Sequence, residues 1–476
     1  MENSTHTNPD QAGQTTSPPP SLKDAPLQRV GSTKSTRSLR SSNDVPISTS
    51  PEKRVTVRSA RLNRDSLPAS YLHGEPILGS ENAGHPKSLS ILQCLKLVLL
   101  SSKINVLLVF IPLGIASAHV GWSDVVVFVL NFIAIIPLAK LLGFVTEEIS
   151  LRLGENLGAL LNASFGNAVE LILSIIALKE NKIEVVKASI IGSILSNLLL
   201  VLGFCFLAGG YKFKSQKFNQ TAAQTSASLL ALSCMSLLIP AAFIATASES
   251  IAHPDVKNLS HGTAIVLLIV YALYLWFQLK THEHLYATES DEEEIPLLPL
   301  WMGIILLLGI TVLVAFCAES LVGSIEGLST SWHLSHTFIG LILLPIVGNA
   351  AEHATAVTVA MKDKMDLAIG VAIGSSMQIA LFVSPLMVII GWGIGKDMDL
   401  FFGIFETSVM FISVLIVNYL IQDGESNWLE GIMLLSTYVI IAIAIYYLPD
   451  PEGATVAGGA VASHAVKSLA QAVAGQ

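Results

Sequence analysis

Gly166-Asn167-Ala168-Val169-Glu170 and, 182 residues later, Gly348-Asn349-Ala350-Ala351-Glu352 stand inside apolar runs of membrane-spanning length. Gly192-Ser193 follows the first and Gly374-Ser375 the second, at the same offset. Each half therefore carries two matched helices with no net insertion between the marks. A carboxylate inside a membrane helix costs roughly 2.5–3.5 kcal/mol even on a lenient insertion scale. One in each half, at matching positions, predicts a cation site built from a duplicated unit.

The rest of the chain fits that frame. Its 476 residues are 52% hydrophobic and 13% charged, with mean hydropathy +0.62, too little polar surface for a soluble protein of this size. Runs of about 20 apolar residues, the span of a bilayer, cover 104–119, 123–143, 156–178, 186–208, 224–247, 261–280, 298–318, 336–360, 366–392, 400–421 and 428–448. The expectation is an all-α polytopic membrane protein of about eleven transmembrane helices. Cys94, Cys205, Cys234 and Cys317 lie in or beside apolar segments without paired or metal-type spacing, so they read as small buried hydrophobes. No N-terminal stretch resembles a secretory signal, so the first transmembrane helix is expected to direct insertion.

Counting one helix and then two sets of five gives the domain organisation. Residues 1–90 form a cytosolic tail, 91–122 the first transmembrane helix, and 123–280 the first five-helix repeat. Residues 281–297 form an acidic linker, 298–448 the second repeat and 449–476 a C-terminal tail. Because five is odd, the two repeats insert with opposite orientation, the arrangement of many secondary transporters with a midplane substrate site. Thr146-Glu147 and Ala318-Glu319, near the ends of corresponding helices, support the pairing.

With a cytosolic N-terminus, 21 of the 27 Lys and Arg fall on the cytosolic side. Without the tail the balance is still 10 against 6, although Lys179, Lys182 and Lys187 vote the other way. The tail is rich in Ser, Thr, Pro and Asn and predicts disorder. It reads either as an ordinary solvated segment or, through serines such as Ser38 and Ser66 near arginines, as a regulatory one. The stretch Glu283–Glu294 reads as a solvated linker or a sensing element.

On a helix Asn167 and Glu170 share a face, as do Asn349, Glu352 and His353. Each repeat thus offers a carboxylate, a carboxamide and a Gly-Ser-marked helix. Glycine permits unwinding that frees carbonyls, and Pro345 favours a break before Gly348. Oxygen ligands suit a hard divalent cation, whereas soft metals want sulfur or imidazole. Ionised with nothing bound, two glutamates in a low-dielectric cavity are unfavourable, so they should hold either the cation or protons.

The bland alternatives are specific. A membrane glutamate can be the structural partner of a basic residue, yet no Lys or Arg lies within a turn of the motif residues on their own helices. Asn167, Asn349, Ser193, Ser375 and Gln378 suit ion lining or interhelical hydrogen bonding. His353 suits a proton relay or simple packing. Glu147, Glu148 and Glu319, near helix ends, suit ion access or solvated termini.

At these motifs, Gly166–Glu170 through Gly192–Asn197 and Gly348–His353 through Gly374–Ile379, the chain resembles the cation/proton exchanger family of the calcium/cation antiporter superfamily. The resemblance covers roughly residues 90–450 and is nearest to vacuolar calcium/proton exchangers. It implies Glu170 and Glu352 as calcium-binding carboxylates, Asn349 and Gln378 as helpers, and backbone oxygens near Gly166 and Gly348 completing the shell. It also implies a non-enzymatic antiporter with no cofactor, calcium being cargo, in a vacuolar or other acidic membrane. Partners are then Ca2+, H+ and membrane lipid, with homo-oligomers allowed and no nucleic acid. Sodium-driven exchange, a preference for manganese and a passive channel are the rivals.

Overall fold

In the computed structural model the described residues are 91–246, 249–282 and 296–448. The tail 1–90, the stretch Glu283–Glu294 and the tail from residue 449 lie outside them. Among the described residues the architecture is all-α, apart from one antiparallel pair, β1 (Gln216–Lys217) with β2 (Glu425–Ser426).

Two helices precede the first repeat, α1 (Ile91–Leu100) and α2 (Lys103–Val120). The expected single helix over 91–122 is thus corrected. Ser102 ends the first piece by turning extended and accepting from the Ile104 N–H, and Asn105 Nδ2 donates to Val98 O at 3.0 Å. The first repeat holds α3 (Asp124–Leu153), α4 (Glu155–Phe165), α5 (Ala168–Lys179), α6 (Ile183–Lys212), α7 (Gln220–Thr246) and α8 (Asp255–Thr281). The second holds α9 (Leu300–Gly323), a short α10 (Ile325–Trp332), α11 (His336–Ala360), α12 (Met365–Gly393), α13 (Ile404–Leu420) and α14 (Trp428–Tyr446).

Nine of these, by length and composition, can cross a membrane. The other two expected spans differ instructively. The run 156–178 is divided into α4 and α5 at Gly166-Asn167, and α13 has only 17 residues.

Burial sorts the helices into inner and outer. About 83% of the apolar window of α6 is buried, 67% of that of α12 and 61% of that of α11, against 22–33% for α2, α7, α8, α9 and α14. The outer helices show Ile265, Ile269, Leu273, Ile304, Leu308 and Ile440 outward, as lipid contact requires. The motif helices are therefore the core.

Three π-turns lie in that core, and a further one, Phe277–Thr281, ends the outer α8. Ser196–Val201 in α6 and Ile379–Val383 in α12 fall at matched places in the two repeats. A third, Ile339–Leu343, precedes Pro345 in α11. Pro345 has no N–H for the Leu341 carbonyl four residues back, so the ladder widens there instead of breaking. The expected break before Gly348 is corrected: α11 runs on through Glu352. Single π-turns inside α-helices concentrate at functional sites.

Polar clasps tie the repeats at both faces. On one, Gln216 Nε2 donates to Ala360 O at 2.9 Å and Asp363 Oδ1 at 3.0 Å. On the other, Lys187 Nζ meets Asp399 Oδ1 at 2.6 Å, and Ser260 Oγ accepts from the Leu400 N–H at 2.9 Å. Lys257 pairs with Asp397 nearby and holds that carboxyl below the usual range, through its hydrogen bond and then its charge.

Candidate functional site

The break between α4 and α5 places Glu170 in the first turn of α5, with Asn167 as the N-cap residue. A helix N-terminus favours a negative charge there. The Glu170 carboxylate also lies against the other repeat, since a Cβ on Gly348 would stand 2.7 Å from Glu170 Oε1. Gly348, with no side chain, leaves room for this close approach.

Glu352, on the unbroken α11, accepts from Ser375 Oγ at 3.1 Å. Ser193, the counterpart of Ser375, lines a cavity of about 10 Å³ with Glu170, Ser174 and Ser189. That is room for about one water. Its lining runs from Glu170 toward the face of the Lys187–Asp399 clasp. Glu352 continues instead toward Thr355 and the opposite face. Glu170 Oε1 lies against Gly348, one turn before Glu352 on α11, so the two carboxylates belong to one site.

The carboxamides join the repeats unequally. Asn167 Nδ2 donates to Gln378 Oε1 at 2.7 Å. The matching pair is Asn349 and Ser196, because Ser196 holds the position 182 residues before Gln378. Its hydroxyl is too short for that role and sits 3.4 Å from His353 Nε2. Asn349 is fully buried, and among the described residues neither of its amide atoms, nor Glu170 Oε1, nor Asn167 Oδ1 has a partner. Leaving a buried polar atom unpaired costs about 1–3 kcal/mol. Several such oxygens beside two carboxylates are what a desolvated hard cation needs.

The structure thus gathers Glu170, Glu352, Asn167, Asn349, Gln378, Ser193, Ser375, Gly166, Gly348 and His353 into one place. Gly166 lies next to Gln378, whose Oε1 is 3.9 Å from where a Gly166 Cβ would stand. Glu148 is elsewhere: buried, it accepts the Leu297 and Leu298 N–H groups at 2.7 and 3.0 Å, fastening α3 to the start of the second half. Of its two readings the solvated terminus is corrected, because the side chain is buried with both N–H groups on one of its oxygens. Glu319 is exposed at the far end of α9, on the opposite face from Glu147.

One contributor escaped the sequence reading. Lys140 of α3 donates to Thr355 Oγ1 at 3.1 Å, one turn from Glu352, and its charge acts on Glu352 and Glu147. No direct ion pair joins it to Glu352 among the described residues. It came from a helix outside the motifs, so local spacing held no signal of it. Gly192, marked in the sequence by its Gly-Ser pair, has no side chain and so lets the Leu341 carbonyl approach α6 closely.

The sodium/calcium exchanger protein family model matches residues 123–280 and 302–447. A vacuolar calcium ion transporter of Schizosaccharomyces pombe is 48% identical over 402 residues, covering 83% of this chain and 98% of that protein. A Ca(2+)/H(+) antiporter of Synechocystis is 50% identical over 363 residues, covering 72% and 97%. The solved structure of native YfkE, 37% identical, superposes with a TM-score of 0.63 over 72% of this chain and 100% of that one.

Proposed function

Because the chain belongs to the sodium/calcium exchanger protein family, among its cation/proton exchangers, we propose that it is a secondary antiporter exchanging cytosolic Ca2+ for lumenal H+ across an acidic organelle membrane. The vacuolar membrane is the favoured location, by likeness to vacuolar relatives. The observation that carries the reading is the pairing of Glu170 and Glu352 at matched positions, beside buried oxygens without protein partners.

In this mechanism Ca2+ arrives from the cytosol between Glu170 and Glu352. Both carboxylates ligate it, with the Asn349 and Asn167 oxygens and nearby backbone carbonyls helping toward the 6–8 oxygens calcium typically takes. Two bare carboxylates in a dry cavity repel each other. The site therefore reorients only with calcium bound or with protons taken up, and that restriction makes the process exchange rather than leak. Movement between the repeats alternately releases the clasp at Lys187–Asp399 and that at Gln216–Asp363. The N-terminus is cytosolic in this scheme, as the basic loops favour.

The test is calcium-45 uptake into proteoliposomes with the interior acid, wild type beside Glu170→Gln. Uphill uptake should collapse with a protonophore and be absent in the variant. Uptake driven by sodium instead, or insensitive to both changes, would overturn proton exchange in favour of another ion or a channel.

A further inference from the structure

Away from the ion site, an open groove of about 270 Å³ runs along the end of α6, lined by Phe204, Leu207, Ala208, Tyr211 and Met361. Phe204 is 45% exposed and Tyr211 89% exposed, although both lie within an apolar span. The groove ends where α6 stops at Lys212 and α11 stops at Ala360, which is the level of the membrane interface. Tyrosine is enriched at that level.

Three lysines stand at its mouth. Lys212 Nζ donates to the Met361 carbonyl at 3.2 Å, and Lys362 and Lys364 follow in the turn between α11 and α12. Partial burial and then the charges of Lys364 and Lys212 hold the Lys362 ammonium below the usual lysine range. The neighbouring acids are engaged elsewhere: Asp363 accepts from Gln216 Nε2, and Asp366 from the Asn219 N–H. None of the ion pairs among the described residues includes these lysines.

An apolar slot at membrane depth under a cluster of unneutralised ammonium groups matches a molecule with a hydrocarbon tail and an anionic head. We propose that this groove binds one anionic phospholipid, its acyl chain along Phe204, Leu207 and Ala208 and its phosphate among Lys212, Lys362 and Lys364. Basic pockets between transmembrane helices on the cytoplasmic side hold such head groups, and the basic-loop count puts this face in the cytosol. The turn that carries two of the lysines joins the helices of Glu352 and Gln378. A lipid bound there touches the link between the two halves of the second motif.

Native mass spectrometry of the full chain, titrated with phosphatidylinositol against phosphatidylcholine, tests this. Wild type should retain one phosphatidylinositol in preference to phosphatidylcholine. Changing all three lysines to Gln should weaken retention roughly a hundred-fold, about a factor of five for each lysine. The triple Arg variant should keep it, and Ala208→Trp, which fills the slot, should lose it. Thermal melting checks that each variant is folded. Equal retention by wild type and the triple Gln variant, loss in the triple Arg variant, or displacement by inorganic phosphate would each overturn the proposal.

Discussion

Asn167 of the first repeat hands its amide N–H to Gln378 of the second at 2.7 Å, while Asn349, its counterpart, reaches no partner among the described residues. The cause is one position: Gln378 is matched by Ser196, which is too short to answer. The duplicated site is therefore half locked and half open. The bond uses the Asn167 N–H and leaves its Oδ1 without a partner among the described residues, as both Asn349 amide atoms are.

The two asparagines should consequently fail differently. Asn167→Ala strands Gln378, removes a bond between repeats and takes away a ligand oxygen, so melting should fall by the equivalent of about 1 kcal/mol and the KM for calcium should rise as well. Asn349→Ala breaks no bond and should leave stability nearly unchanged, yet raise the KM for calcium several-fold. Melting curves and calcium-45 uptake measure both. A normal KM in Asn349→Ala would remove that residue from the ion's ligands.

Gly192 and Gly374 look alike in sequence but not in space. A Cβ on Gly192 would run into the Leu341 backbone carbonyl, whereas nothing lies within 4 Å of one on Gly374. Backbone cannot step aside as a flexible side chain can. Gly192→Ala should cost about 1–3 kcal/mol of stability and most of the transport. Gly374→Ala should fold normally, helped slightly by better helix propensity. Comparable damage from both would contradict the close approach of α6 and α11.

What could be read in advance follows from what is local. The paired Gly-Asn-Ala-x-Glu marks needed only their own spacing, so the all-α duplicated architecture and the gathering of Glu170 and Glu352 were legible. Pro345 showed that the backbone must deviate but not how, since a π-turn and a break relieve the same missing N–H. The burial of Glu148 was not legible because its partners, the Leu297 and Leu298 amides, are 149 and 150 residues away. Lys140 was missed for the same reason: only packing of α3 on α11 brings it to Thr355.

Lys140 makes the glutamates unequal, for its ammonium lies one turn from Glu352. Lys140→Met should strengthen calcium binding, lowering KM roughly ten-fold for an electrostatic effect on the order of 1–2 kcal/mol. Slower release should then lower the maximal rate. Lys140→Arg should stay close to wild type in both. A variant that loses stability while keeping its KM would show a packing role only.

Protons and calcium compete for the same carboxylates under the proposed exchange. Lowering pH on the side where calcium loads adds protons to Glu170 and Glu352 and should raise the KM for calcium. Lowering pH on the releasing side should instead speed uptake, because protons displace calcium there. Uptake in proteoliposomes with each side buffered separately reads the two signs. Equal responses to acid on both faces would rule out exchange through one shared site.

Lys187 and Asp399 come from different repeats and meet at 2.6 Å with side chains only 18% and 25% exposed. Breaking a buried pair from one side costs about 3–5 kcal/mol, and this partial exposure brings it nearer 1–2 kcal/mol. If the clasp closes one face, Lys187→Asp or Asp399→Lys alone should leave that face open too often and cut uphill uptake several-fold. The double swap restores opposite charges at the same place and should recover most of the rate. A double swap as poor as either single variant would mean that the two residues act separately and that the clasp closes nothing.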